Sequence, residues 1–224
     1  MTNFWYNYAK VWKVVVYFMK NKITKRVFDI IFSIFAIIIF TPVMVIVSIL
    51  IKVISPKGGI IYKQRRLGLN GKEFEVYKFR TMIPNAEKKL QEMMQKDSKL
   101  KQEYLTYRKL KNDPRIIPYI GSFLRKTSLD ELPQFFNVLK GDMSIIGPRP
   151  YIKDEFDNYP HYKSIIVSVK PGITGYWQTL SNRHDATFIE RVKKDIEYIQ
   201  NRDLWLDFNI FFKTIYVMIF QKGL

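Results

Sequence analysis

Hydrophobic positions crowd into one unbroken run near the start of the chain and are broken up by charge thereafter. From Ile30 to Ile51 the sequence reads IIFSIFAIIIFTPVMVIVSILI, 22 residues without a charged side chain. As a helix this run would extend roughly 33 Å, enough for a bilayer's hydrocarbon core. Basic residues flank it on both sides, KNKITKR (Lys20 to Arg26) before it and Lys52, Lys57, Lys63, Arg65 and Arg66 after it. A plain spanning helix should instead show a basic excess on one side. Thr41-Pro42 stands at the middle of the run, and an interior proline removes a backbone hydrogen bond and bends a helix. Two readings follow. One is a re-entrant helix hairpin over residues 26–54 that enters and leaves on one membrane face; the other is a single kinked helix that spans.

The remaining pattern is of shorter elements. Residues 1–25 mix aromatics with lysines and read as an interfacial segment, without the layout of a signal peptide. Two β-rich runs, Ile60 to Gln64 and Glu73 to Phe79, flank the turn signal Asn70-Gly71 and predict a hairpin. Ala86 to Lys111 is charged and proline-free and predicts one solvated helix. NDPRIIPYIG and GDMSIIGPRP read as loops, and PQFFNVLKG as a short helix ending at Gly141. After the loop KPGITGYWQTLSNRHD, a helix is predicted from about Ala186 to Gln200, with Phe188, Val192, Ile196 and Ile199 on one face. Residues 203–224 form an amphipathic, aromatic tail suited to lie in the interface. The predicted fold class is mainly α with a small β-hairpin. A re-entrant membrane helix hairpin and amphipathic interfacial helices surround a compact domain over residues 55–202, a cytosolic catalytic domain if the motifs within it carry chemistry.

Composition narrows the partners. The 224 residues carry a net charge of +17 with 47% hydrophobic residues, which argues against disorder and for an anionic partner: nucleic acid, an anionic membrane face or phosphorylated substrates. Cysteine is absent, and His161 and His184 are the only histidines, so thiol catalysis and a cysteine- or histidine-built metal site are disfavoured. A metal here is expected to be Mg²⁺ on carboxylates and phosphates. No P-loop and no Gly-x-Gly-x-x-Gly fingerprint is present.

The stretch RKTSLDELPQ, Arg125 to Gln134, sets Asp130 and Glu131 just behind two basic residues. Ser128 and Glu131 match a capping box. Pro133 then falls one step beyond the free first turn if Ser128 is the cap, or takes the first helical position and leaves the two carboxylates ahead of the helix. Either way, Arg125 and Lys126 are expected to favour the ionised form of Asp130. Such a carboxylate can attack phosphorus or hold Mg²⁺ on a diphosphate, while a surface ion-pair cluster has the same composition. GPRP places Arg149 between two prolines, either a phosphate-binding loop or a rigid solvated one. Lys78 and Arg80 share a strand face, as a phosphate-facing pair or as a salt-bridged or snorkelling one. The spacing of Arg191 and Asp195 is that of a helix-surface ion pair.

Taken together, KRVFDIIFSI…TP, YKFRTM, NDPR, FLRKTSLDELPQFFNVLKGDMSIIGPRP and KPGITGYWQ, with Arg183, Phe188, Arg191, Asp195 and Tyr198, resemble the bacterial sugar transferase family. These are monotopic polyprenyl-phosphate phosphoglycosyl transferases, and the likeness runs from about Lys25 to the C-terminus. The resemblance implies transfer of sugar-1-phosphate from a UDP-sugar to polyprenyl (undecaprenyl) phosphate, with release of UMP, as the first membrane step of surface glycan synthesis. It implies Asp130 as the nucleophile of a covalent phosphosugar intermediate and Glu131 as its partner in Mg²⁺ or proton handling. Arg125 would steady a phosphate and Arg149 hold the nucleotide, with Lys78, Arg80, Arg183, Arg191 and Asp195 as further substrate contacts. Thr41 and Pro42 would form the kink of the family's re-entrant helix. The implied location is the cytoplasmic face of the bacterial cytoplasmic (inner) membrane, with phospholipid as a partner. A homodimer and downstream glycosyltransferases are compatible with it; nucleic acid is not expected. Asn182 replaces a glycine of the familiar WQ…SGR pattern, whereas Trp177-Gln178 leans towards hexose donors such as UDP-galactose or UDP-glucose. The alternative is a non-catalytic membrane scaffold of a glycan assembly complex.

Overall fold

The computed structural model describes residues 22–157, 159–180 and 186–220. The expected interfacial segment therefore lies almost wholly outside the described residues, as do Arg183 and Asn182. The apolar run is helix α1, Lys22–Ile54, 33 residues or about 50 Å long. Helical structure continues through Pro42. Beside the missing amide, the Thr41 hydroxyl donates to the carbonyl of Ile37 at 2.7 Å, a back-bond that favours bending.

The same folded body holds α1 at both ends. Near its start, Arg26 donates to the carbonyls of Val138 and Leu139 (2.6 and 2.9 Å), and Lys25 pairs with Asp207 at 2.5 Å. Asp29, buried, accepts from the Ser144 hydroxyl at 3.1 Å and the Ile145 amide at 3.0 Å. An acidic residue in so apolar a helix requires such partners, because an unpaired buried carboxylate costs several kcal/mol (order of magnitude). Towards its end, Val47 and Ile51 enter a core with Phe79, Ile117, Ile120, Leu124 and Leu132. Each such side chain contributes on the order of 1.5–3 kcal/mol through burial.

The hairpin is observed as β1, Ile61–Leu67, antiparallel to β2, Glu73–Phe79, in the register Ile61–Phe79 to Leu67–Glu73. It is longer on its first strand than the sequence suggests. Asn70 and Gly71 take the left-handed conformations of the turn (φ 56° and 77°). The predicted single helix over Ala86 to Lys111 is instead two, α2 (Ala86–Lys96) and α3 (Ser98–Tyr107). Asp97 is extended and its side chain caps α3 at the amides of Lys99 and Leu100. A capping aspartate before serine is thus a start signal within the charged run.

Helix α4, Ile120–Thr127, precedes α5, Gln134–Lys140, which ends at Gly141 (φ 90°). Fully buried Asn137 of α5 covers the free edge of β2. Its Oδ1 accepts from the Tyr77 amide at 2.9 Å and its Nδ2 donates to the Glu75 carbonyl at 2.6 Å. A second sheet, parallel and two-stranded, was not expected: β3, Ser144–Ile146, pairs with β4, Gly172–Thr174. Three-residue strands inside proline- and glycine-rich segments leave no alternation to read. They bring GPRP against KPGIT so closely that a Cβ on Gly147 would lie 2.6 Å from the Lys170 carbonyl oxygen. The glycine is required by that approach.

After α6, Pro160–Ile166, helix α7 runs from Phe188 to Asn201, capped by Thr187 with Glu190 in a capping box. Phe188 and Val192 are buried in a core with Leu67, Tyr151, Phe156 and Ile166, with Ile196 and Ile199 packed against it, as their shared face predicts. Helix α8, Leu204–Phe220, buries Ile210 and Val217 and exposes Trp205, Phe208, Phe212, Tyr216 and Phe220. Phe208 and Phe211 meet Phe28 and Phe32 of α1 edge-on. The architecture is mostly helical with small sheets, and among the described residues one helix, Ile23–Ile54, is long and apolar enough to cross a membrane.

Candidate active site

Between α4 and α5 the chain reverses at Ser128, a non-glycine residue at φ 57°. A 3₁₀ turn, Leu129–Glu131, then carries the two carboxylates. The Ser128 side chain makes no capping bond; its amide donates to the Arg125 carbonyl at 3.3 Å and its carbonyl accepts from the Glu131 amide at 3.1 Å. The capping-box pattern is thus not used as one. Pro133 stands immediately before α5 as its cap and not at its first helical position, and Asp130 and Glu131 lie ahead of the helix.

Strand β2 and helix α4 supply the cations. Lys78 Nζ lies 2.5 Å from Glu131 Oε1. Arg125 Nε donates to Thr81 Oγ1 just beyond the strand at 3.0 Å. Asp130 is 8% exposed, and burial pushes its carboxyl up to about 6, with Glu131 adding to the rise and Lys78 and Arg125 opposing it. The sequence argument that basic neighbours set its charge named the smaller effect, since desolvation wins. At that value the group is still largely ionised at neutral pH, and more basic than an exposed aspartate.

Arg80 shares the line of Lys78 but turns to the end of α1. Its Nε donates to the Gly59 carbonyl at 2.6 Å, and its Nη atoms to Ser55 Oγ and the Ser55 carbonyl at 3.0 and 2.6 Å. The geometry gives Lys78 to the carboxylate dyad and Arg80 to the C-terminal end of α1.

A second group forms where GPRP meets α7. Asp195 Oδ2 accepts from the Arg149 amide at 3.0 Å and the Tyr151 hydroxyl at 2.8 Å. Its Oδ1 is buried without a partner among the described residues. Burial pushes Asp195 up to about 7. Arg191 and Asp195 form no surface ion pair, since both are buried. Arg191 donates to the carbonyls of Thr187 and Tyr107 and lies over the Trp177 ring at 5.5 Å. Burial, with Arg149 nearby, lowers the proton affinity of both Arg191 and Arg66 to about 10. Arg66 donates to the Pro150 carbonyl at 3.1 Å and lies 3.7 Å from Glu155.

Arg66, Tyr151 and Thr81 were missed by sequence reasoning. The signal for Arg66 was its parity with Tyr62 and Gln64, which places it on the strand face shared by Lys78, the cross-strand partner of Tyr62. Four residues separate Tyr62 from Arg66, about 13 Å along the strand. Two cationic clusters thus occupy one hairpin face, with the carboxylate dyad at one of them. Among the described residues no three histidine, cysteine or acidic side chains gather as a metal cage. Two carboxylates beside cationic side chains form a donor set that would fit Mg²⁺ if phosphate oxygens completed its shell.

A family model described as "Bacterial sugar transferase" matches residues 20–221. The chain is 45% identical over 203 residues to an undecaprenyl-phosphate galactose phosphotransferase of Salmonella typhimurium, covering 91% of this chain and 42% of that protein. It is 43% identical over 201 residues to the exopolysaccharide production protein ExoY of Sinorhizobium fredii, covering 90% and 88%. With a UDP-glucose:undecaprenyl-phosphate glucose-1-phosphate transferase of Klebsiella pneumoniae it shares 39% identity over 213 residues, 91% and 42% of the two chains. The chain thus spans less than half the length of the two enterobacterial relatives. On the strength of this match over nearly its whole described length, the chain belongs to the bacterial sugar transferase family.

Proposed function

We propose that this chain is a phosphoglycosyl transferase that moves sugar-1-phosphate from a UDP-sugar, a hexose donor such as UDP-galactose or UDP-glucose, to undecaprenyl phosphate. The observation that carries this reading is the convergence of Asp130, Glu131, Lys78 and Arg125 beside an apolar helix. An Asp130 oxygen attacks the phosphorus that bears the sugar, and the bond from that phosphorus to the UMP oxygen breaks, so UMP leaves. A phosphate oxygen of the lipid then attacks the aspartyl-bound phosphorus and frees Asp130, leaving a lipid diphosphate sugar. Two steps at a cationic site replace one displacement between two anions. Mg²⁺ held by Asp130 and Glu131 with diphosphate oxygens would screen the charge developing on the phosphates. Lys78 holds Glu131 in place, and Arg125 faces the same charge. Across the hairpin, Arg149, with Arg66 and Arg191 behind it, is placed for the nucleotide.

The same reading places the chain at the cytoplasmic face of the bacterial inner membrane as a monotopic protein. Its support is that polar contacts anchor α1 to one body at Lys25, Arg26 and Asp29 and again at Ser55. A straight helix crossing about 30 Å of hydrocarbon could offer only one end to a body on one side, whereas a re-entrant helix bent at Thr41-Pro42 offers both. Exposed aromatics on α8 and at Tyr119, 90% exposed, suit the interfacial layer.

The test is UMP release from UDP-galactose and UDP-glucose by the full chain with Mg²⁺. Wild type should release UMP and, without acceptor, carry a phosphosugar adduct on Asp130 by mass spectrometry. Asp130→Asn should do neither; undiminished turnover by that variant would refute the assignment.

A further inference from the structure

Arg125 is held from one side only. Its Nε donates to the Thr81 hydroxyl at 3.0 Å, and among the described residues its two Nη groups donate to no protein atom. The end of an arginine fork left open in this way is the part that fits two oxygens of a phosphate. Burial lowers the proton affinity of this guanidinium; of the charges around it, Asp130 opposes that most, Asp113 next, and Arg115 adds to it. Yet among the described residues Arg125 forms no ion pair with either carboxylate. It is shared between two acids and closes on neither.

The frame that holds it back is built from NDPRII and the end of YKFRTM. The Thr81 carbonyl accepts from the Ile117 amide at 2.9 Å, and the Ile83 amide donates to the Arg115 carbonyl at 2.8 Å, around the facing pair Met82 and Ile116. Helix α4 leans on the same strap, since a Cβ on Gly121 would lie 2.4 Å from the Thr81 carbonyl oxygen. Arg125 follows Gly121 by one turn and so lies on the same helix face. Within the strap Asp113 takes Arg115 in a closed pair. Its Oδ1 accepts from the Arg115 Nε at 2.8 Å and amide at 3.0 Å, and its Oδ2 from Nη2 at 2.6 Å. Both side chains are buried. Arg115 is therefore neutralised where it stands, and does not drive Arg125 away by like charge.

We propose that Thr81 and the Asp113–Arg115 pair are positioning residues for Arg125. They hold its guanidinium short of Asp130, so that the nucleophile stays open and both Nη groups meet the phosphate it attacks. An arginine free to swing would close on the nearest carboxylate, and an Asp130 oxygen tied up in that pair attacks phosphorus poorly. Fixed in advance, Arg125 meets the charge that builds on the phosphate oxygens as an Asp130 oxygen bonds to phosphorus and the bond to the UMP oxygen breaks. No long side chain has to be ordered at that moment. The inference rests on the transferase reading for the identity of the phosphate.

The test is a double-mutant cycle on adduct formation, followed in single turnover with the full chain in nanodiscs, Mg²⁺ and UDP-galactose or UDP-glucose, without acceptor. Thr81→Val removes the hydroxyl at nearly constant volume, and Asp113→Asn/Arg115→Gln removes both charges of the pair. Each should slow adduct formation by about 10- to 100-fold, the scale of misplacing a contact to the reacting group. The half-saturating donor concentration should stay within about threefold, because the contact strengthens as charge develops. Thr81→Ser, which keeps the hydroxyl, should restore most of the rate. In an Arg125→Gln background neither change should slow the reaction by more than about twofold, since nothing is left to position. Equal slowing in both backgrounds, no slowing at all, or slowing by Thr81→Ser as great as by Thr81→Val overturns the proposal. Where the Asp113→Asn/Arg115→Gln chain loses its melting transition, the Thr81 variants decide. Absence of an adduct in wild type would instead refute the transferase reading, and the role given to this frame with it.

Discussion

Lys78 Nζ sits 2.5 Å from Glu131 Oε1, and each side chain is about a third exposed (32% and 28%). At that exposure an ion pair contributes at most about 1 kcal/mol to stability, so its main consequence is local. It holds Glu131 beside Asp130, whose carboxyl the same lysine pulls down against the effect of burial. Lys78→Met, which keeps the length of the side chain, should therefore leave the melting temperature within a few degrees of wild type. The rate of adduct formation on Asp130 should fall by about 10², typical of removing one preorganised charge from a reacting site. Lys78→Arg should restore part of it. Stopped-flow UMP release with a parallel melting curve reads both, and equal losses of rate and stability would assign Lys78 a structural role only.

Asn137 offers the opposite case, a large structural effect away from the chemistry. Its amide satisfies the amide of Tyr77 and the carbonyl of Glu75 at the free edge of β2 from a fully buried position. Asn137→Ala would leave both backbone groups without their partner, at about 1–3 kcal/mol each. We expect destabilisation of about 2–4 kcal/mol, read as a lowered denaturation midpoint in detergent. A loss below about 0.5 kcal/mol would mean that water reaches that edge.

The sequence was most legible where one signal dominated. The Asn70-Gly71 hairpin and the one-sided face of α7 appear where their patterns placed them, because nothing competed with the pattern, and the apolar run is one continuous helix. It was least legible where burial decides. Asp130 and Asp195 look like ordinary charged helix residues until the fold encloses them, and four-residue spacing cannot show that Arg191 turns to Tyr107 while Asp195 turns to Tyr151. The β3–β4 pairing joins segments more than 25 residues apart with three residues each, too little for local periodicity. The dyad and the Arg125 beside it were visible, but Lys78 was not: it comes from a strand 53 residues away in sequence, and only the family resemblance had brought the two together.

Asp195 makes stability depend on pH in a defined direction. Its carboxyl is raised from an ordinary 3.8 to about 7 in the folded chain, so the folded state holds a proton that the unfolded state releases. Its contribution is therefore fully present below about pH 4 and is lost as pH rises through about 7. The difference in melting temperature between wild type and Asp195→Asn should shrink, or reverse in favour of the variant, between pH 4 and pH 7.5, and flatten above it. Asn can still accept from the Arg149 amide and the Tyr151 hydroxyl, which keeps the comparison close to one of charge. Melting curves at half-unit pH intervals check this, and a constant difference would mean that the nearby arginines keep Asp195 ionised throughout.

Asp29 distinguishes the two ways in which α1 could meet the membrane. In a plain spanning helix an acidic residue opposes insertion, so Asp29→Leu would favour the membrane-bound state by roughly 3 kcal/mol. Here Asp29 accepts from the Ser144 hydroxyl and the Ile145 amide. Its replacement would leave β3 with unpaired buried donors, at about 1–3 kcal/mol. The reading of α1 as a helix clasped at both ends to a body on one side therefore expects Asp29→Leu to lower folding stability without improving membrane retention. It also expects a cysteine placed at Lys57 to resist impermeant thiol reagents applied to intact cells and to react once the cells are opened. Labelling in intact cells, together with a stabilising Asp29→Leu, would establish that α1 spans.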